Sequence, residues 1–161
     1  MSWESNPCCE LFHRGPLVAA VQSAGLFADS KSFVDSPARG GAEAVLAAYE
    51  EQTGEAERRC GDGGLGRDAL AAFVALHFSA PSTELEPCTP VDWKEEASWF
   101  GELPGEACEF AVALHGLWLS LCRRSAAAGG GVTSTLLPLP HACFIPGDRF
   151  RETYYWVRRS C

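Results

Sequence analysis

PGEACEFAVALHGLWLSLCRR, residues 104–124, is the longest apolar-rich stretch of the chain, and its reading decides the fold class. Phe110, Ala111, Leu114, Leu117, Trp118 and Leu121 recur at helical spacing, so the pattern predicts an amphipathic helix over 105–124 with these side chains inside. Arg123 and Arg124 then follow at the C-terminal end, where the helix dipole favours cations. Glu109 and His115 interrupt the run, which stays short of the roughly 20 apolar residues that cross a bilayer. SAAAGGG, rich in glycine, ends it.

The same period recurs towards the N-terminus. Leu17, Val18, Val21 and Ala24 share one face of a helix predicted over 17–24, with Pro16 in its first turn and Gly25 as its stop. ADSKSFVDSPARGG reads as an extended loop anchored by Phe33 and Val34. A second helix is predicted over 42–51, with Val45, Leu46 and Tyr49 inward and the glycine of TGEAERRC as its breaker. A third runs over 67–78 with Leu70, Phe73, Val74 and His77 at i, i+3, i+4 and i+7, which makes His77 a helix-face residue and not a ligand. Thr89, Pro90 and Asp92 resemble an N-cap, a first helical position and a capping-box acid, so a fourth helix is predicted over 90–100, ahead of that over 105–124. TSTLLPLPHACFIP (133–146) carries three prolines, too many for a helix or a central strand, and reads as an extended segment without regular hydrogen bonding of its own. The fold class is therefore all-α with an extended proline-rich C-terminal segment, and no internal repeat interrupts it.

Composition narrows the function. The 161 residues hold 13 basic and 21 acidic side chains, a net charge of −8, which offers no electrostatic footprint for nucleic acid. MSWESNPCCELFHRG lacks the basic start and apolar core of a secretory signal, so the compartment stays open. The eight cysteines form no Cys-x-x-Cys pair, and no His stands at finger spacing, which speaks against a structural zinc site and against a cysteine-rich metal or redox protein. Cys108 and Cys122 read as small apolar helix residues, and Cys8, Cys9 and Cys161 as exposed thiols. No cofactor or metal is expected.

The chain closes on PGDRFRETYYW (146–156) followed by VRRSC. A turn signal leading into guanidinium groups and dense aromatic rings suits the wall of a polar-ligand site, because Arg presents a planar fork of donors and rings cover the apolar side of a sugar. Ordinary packing with solvated arginines fits the same spacing.

Three segments, in order, resemble the trehalase family of glycoside hydrolases. GPLVAAVQSAGLFADSKSFVDS (15–36) is similar to its GPLL-x-x-VQ helix and LF-x-DSK-x-FVD loop, and ELEPCTPVDWKEEASWF (84–100) to its acidic linker and P-x-DW segment. STLLPLPHACFIPGDRFRETYYW (134–156) resembles the signature PGGRF-x-E-x-YYWDSYW and its lead-in. The resemblance implies the N-terminal helical portion of an incomplete (α/α)6 barrel, with α,α-trehalose as substrate and its hydrolysis to two glucoses, with inversion, as the reaction. It implies that Arg149 bonds sugar hydroxyls, that Phe150 and Trp156 wall the glucose pocket, and that Tyr154 lies beside them.

Two departures stand out: Asp148 replaces the signature's second glycine, and Val157 replaces its acid. The clean break after Trp156 divides the chain into 1–156, the N-terminal part of a trehalase-like domain, and 157–161, a non-matching tail expected of a truncated or mis-spliced chain. An inverting glycosidase needs a general acid and a general base. Asp148 and Glu152 are not assigned those roles, so the chain is expected to be inactive alone and to self-associate through uncovered apolar helix faces. A non-catalytic helical module binding a sugar or a protein is the alternative. Animal trehalases are secreted or membrane-anchored, which is what the resemblance implies for placement.

Overall fold

The computed structural model describes residues 6–61, 64–126, 133–136, 139–147 and 150. They fall into two compact units, one drawn from Met1–Glu84 and Ala128–Thr135, the other from Leu85–Ala127 and Leu136–Cys161.

The first unit is helical. α1 (Pro7–Cys9) runs into a π-helical turn over Glu10–Arg14 that buries Cys9, Leu11 and Phe12. Composition gave no hint of this entry segment, and its buried Cys9 corrects the expectation of an exposed thiol; Cys8 beside it is exposed. Gly15 closes the turn by donating its N–H to Glu10 O at 2.8 Å. A Cβ there would sit 2.1 Å from that oxygen, so the glycine of the GPL motif is required by close backbone approach. α2 (Pro16–Ala24) buries Leu17, Val18 and Val21. Arg67 caps its far end, Nε donating to Ala24 O at 3.3 Å and Nη2 to Gly25 O at 3.4 Å, which satisfies carbonyls that a helix C-terminus leaves open.

The DSK-x-FVD stretch is not an extended loop. It forms α3 (Lys31–Val34), nucleated by Asp29, whose Oδ1 accepts from the N–H groups of Lys31 and Ser32, each at 2.9 Å. Side-chain capping of this kind satisfies the donors that a short helix exposes. Lys31 donates to the buried Asp35 one turn on, and Ser36 Oγ donates to Ser32 O at 2.7 Å. The acid, the lysine and the serines of this motif therefore hold one turn closed so that Phe33 can be fully buried.

α4 (Ala42–Cys60) runs well past the predicted end at 51. Gly54 costs a helix interior only about 1 kcal/mol relative to alanine, and the Glu- and Arg-rich sequence around it propagates until Gly61 turns left-handed at φ 69°. α5 (Arg67–His77) packs Leu70, Phe73 and Val74 inward. His77 is half-buried on its face with its ring 4.3 Å from that of Phe73, the helix-face role expected of it. Phe12, Phe33 and Phe78 meet ring to ring, as do Tyr49 and Phe73, and these aromatics join Leu11, Leu17, Val21, Val45 and Leu70 in one core. Burial holds the Tyr49 phenol above its ordinary pKa. Ala38 and Thr133 exchange backbone hydrogen bonds at 3.1 and 3.0 Å, so the lead-in is pinned here.

The second unit mixes helix and strand. β1 (Leu85–Pro87), β2 (Cys122–Ser125) and β3 (Cys143–Phe144) form an antiparallel sheet in the order β1-β2-β3. This sheet corrects two expectations. Cys122 to Arg124 do not continue the long helix but pair with Pro87, Glu86 and Phe144, and the proline-rich lead-in has regular hydrogen bonding at Cys143–Phe144. The helix predicted over 90–100 is also absent. That stretch is a series of turns ending in a 3-10 turn at Phe100–Glu102. Its acids and lysine leave no apolar stripe, Val91 is fully exposed, and a lone helix of this length is marginal without packing.

α6 (Gly105–Leu121) forms where expected but is not covered. None of its residues is buried. Phe110 is 66% exposed, and Leu114, Leu117 and Trp118 are half-exposed. The apolar face lies where the periodicity places it, and among the described residues it stays largely exposed.

Candidate functional site

The open side of α6 borders a cavity of about 880 Å³ whose lining comes entirely from the second unit. Three stretches build it. PVDW (90–93) supplies Asp92 and Trp93, the end of α6 and the adjoining β2 supply His115, Trp118 and Arg124, and the proline-rich lead-in supplies His141 and Phe144. Strand alternation explains the β2 share: Cys122 and Arg124 point to one face, as do residues two apart on any strand. Glu86 lies opposite Arg124 in the β1–β2 register, so a carboxylate and a guanidinium share that face.

His115 organises the aromatic wall. Its ring stacks on Trp93 at 5.5 Å and 11° and meets the edge of Phe100 at 5.3 Å and 83°. Its Nε2 lies 2.6 Å from Lys94 O. A carbonyl only accepts, so Nε2 is the donor in this contact. Trp118 packs on Phe144, ring centroids 4.7 Å apart. The Trp93 indole N–H is buried without a hydrogen-bond partner among the described residues. A mostly apolar cavity with three aromatic walls and a carboxylate, a guanidinium and two imidazoles in its lining suits a neutral polar ligand better than a highly charged one. Among the described residues no group of three or more His, Cys, Asp or Glu stands where it could hold a metal ion.

Pro146, Gly147 and Phe150 are the described residues of the signature, and none of them lines this cavity. Gly147 and Phe150 exchange both backbone hydrogen bonds, at 3.1 and 3.0 Å. Gly147 has φ 89°, and a Cβ on it would come 3.0 Å from Leu121 Cδ2, so the signature's first glycine is held by both backbone conformation and space. The Phe150 side chain is exposed. Arg149, Tyr154 and Trp156, with Asp148 and Glu152, lie outside the described residues. Sequence reasoning did not see the cavity of PVDW, α6 and the lead-in as a site. Its visible signals are the two tryptophans and His115, which the helical pattern absorbed.

The Gly147–Phe150 pairing, the capped DSK-x-FVD helix and the PVDW wall are the three places where the collinear motifs take on structure, and comparison with known proteins joins them. The family model described as Trehalase matches residues 25–157. The chain belongs to the trehalase family. The trehalase of Dictyostelium discoideum is 35% identical over 149 residues, covering 91% of this chain and 24% of its own length. The human trehalase is 34% identical over 154 residues, covering 93% of this chain and 26% of its own. The periplasmic trehalase of Citrobacter koseri is 34% identical over 142 residues, covering 88% of this chain and 20% of its own. The chain thus spans about a quarter of the length of the trehalases it matches. Among the described residues no helix is long and apolar enough to cross a membrane.

Proposed function

We propose that this chain is the N-terminal part of a trehalase domain and forms one wall of the site that hydrolyses α,α-trehalose to two glucoses with inversion. The observation that carries the reading is the collinear match over residues 25–157, which takes in the whole of PGDRFRETYYW. Residues 1–156 belong to the domain, an (α/α)6 barrel when complete, and 157–161 are a tail.

In this reading Arg149 is the sugar clamp. Its guanidinium offers parallel donors to neighbouring hydroxyls, a geometry that lysine does not reproduce. Phe150 and Trp156 cover the apolar face of the glucose ring, and Tyr154 lies beside them with a hydroxyl that donates and accepts. Inversion needs a general acid at the leaving oxygen and a general base on a water at the opposite face, with the two carboxyls roughly 6.5–9.5 Å apart. Asp148 and Glu152 serve the turn and its surroundings, and the acid and base come from parts of the domain outside this chain. The 161 residues alone therefore bind sugar weakly and turn none over. No cofactor or metal enters the reaction.

The test joins residues 1–156 to the complementary remainder of a trehalase domain and measures glucose release from trehalose. Arg149→Lys is expected to cut kcat/KM at least about 100-fold, the loss of two charge-assisted hydrogen bonds, with circular dichroism unchanged. Near-normal turnover would overturn the role of Arg149. A second reading, a non-catalytic helical module, is favoured only by the self-contained core of the first unit, and it requires that unit to fold and bind a sugar or protein without the remainder of the domain.

A further inference from the structure

The register of the small sheet sets two cysteines face to face. β1 and β2 pair with Pro87 opposite Arg123, so one further step places Cys88 opposite Cys122, and the Cys88 N–H donates to Cys122 O at 3.3 Å. Directly opposed residues of an antiparallel pair have Cα atoms about 4.5–5.5 Å apart, within the span that a disulfide bridges without backbone movement. The two Sγ atoms already touch, at 3.0 Å. Cys122 is buried, and Cys88 is half-buried, so a reagent arriving from solvent meets Cys88 first.

Among the described cysteines, the nearest others on the sheet and on α6 are placed differently. Cys143 lies opposite Arg123, and since successive strand residues face opposite sides it belongs to the other face of the sheet. Cys108 sits on α6 about four turns before Cys122.

We propose that Cys88 and Cys122 are a reversible dithiol–disulfide pair, oxidised by a low-molecular-weight disulfide of the glutathione type. The Cys88 thiolate attacks one sulfur of the small disulfide, forming a mixed disulfide and expelling one small thiolate. The Cys122 thiolate then attacks Cys88 Sγ, forming the protein disulfide and expelling the second small thiolate. Two protein thiols are oxidised, one small disulfide is reduced to two thiols, and the two protein protons pass to the departing thiolates. The bond closes a loop containing PVDW, the 3-10 turn and α6. Cys122 and Thr89, the neighbour of Cys88, both line the cavity, so oxidation staples the two walls that meet at its base.

The test incubates the 161-residue chain in a buffer of reduced and oxidised glutathione, alkylates the remaining thiols and maps the linked peptides, in parallel with the same chain in urea. The expected result is a Cys88–Cys122 peptide about tenfold or more enriched over its share in urea, because native geometry supplies the effective concentration. Cys88→Ser and Cys122→Ser should each abolish that peptide without raising any other linkage. Closing a loop of 34 residues is also expected to raise Tm by roughly 10 °C in the oxidised chain, and by nothing in either variant. A native linkage pattern matching that in urea, or full alkylation of both cysteines under excess oxidised glutathione, would overturn the proposal.

Discussion

The first unit and α6 of the second are built from similarly apolar helices, yet one closes a core and the other does not. In the first, Phe33, Phe73, Leu11 and Leu17 are almost wholly buried, whereas α6 leaves Phe110, Leu114, Leu117 and Trp118 open. The difference is one of partners. α2, α4, α5 and the capped turn of α3 supply each other's missing faces within about 80 residues of chain, whereas among the described residues Phe110, Leu114 and Leu117 of α6 stay exposed. Apolar periodicity therefore locates a helix and its apolar face, while burial of that face depends on partners that the local pattern does not record.

The largest expected effect breaks the first unit. Phe33→Ala should cost about 3–5 kcal/mol by urea denaturation, the loss typical of deleting a buried ring, while Phe110→Ala at 66% exposure should cost less than about 1 kcal/mol because it leaves no cavity. Equal costs would erase the contrast between the units. A paired change on the open face, Phe110→Glu with Leu117→Glu, should leave thermal stability nearly unchanged and sediment as a monomer where the unchanged chain is expected to associate, since exposed apolar patches drive association.

The boundaries legible in the sequence were those set by local chemistry. α2 and α5 follow the i, i+3, i+4 pattern with Pro16, Gly25 and Leu70 to Val74 in the places expected, and α6 begins where its periodicity begins. What the sequence did not disclose depended on distant partners. The strands β1 and β3 are only three and two residues long, and their pairing with β2 is a contact between segments far apart in the chain, which no local pattern records. α4 outran its glycine because flanking helix formers outweighed one unfavourable residue, and the 90–100 stretch had caps without an apolar stripe to bury. At the site, the signature announced itself through Arg149, Tyr154 and Trp156, while the cavity around Trp93, His115 and Trp118 needed three segments to be brought together.

Smaller effects sharpen these points. Asp29→Ala should destabilise the first unit by about 1 kcal/mol through loss of the α3 cap, measurable as a shift in urea midpoint. Gly54→Ala should stabilise it by up to about 1 kcal/mol, since the added Cβ meets only the Arg58 side-chain end at 3.6 Å; a loss of stability would show that α4 needs flexibility there. Tyr49 gives the smallest signal. Its phenol ionises near 10.0 when unfolded and higher when folded because burial disfavours the charge. Stability should therefore hold below pH 10 and fall as pH rises through the folded pKa, and Tyr49→Phe should flatten that alkaline decline.

Glucose release from trehalose by the purified 161-residue chain is the decisive measurement, because under the proposed function this chain carries one wall of the sugar site while the general acid and base stand elsewhere in the domain. The predicted result is no release above that of an Arg149→Ala control prepared alongside. Release that survives purification and disappears in the control would show that about a quarter of a trehalase can complete the reaction, and would contradict the account.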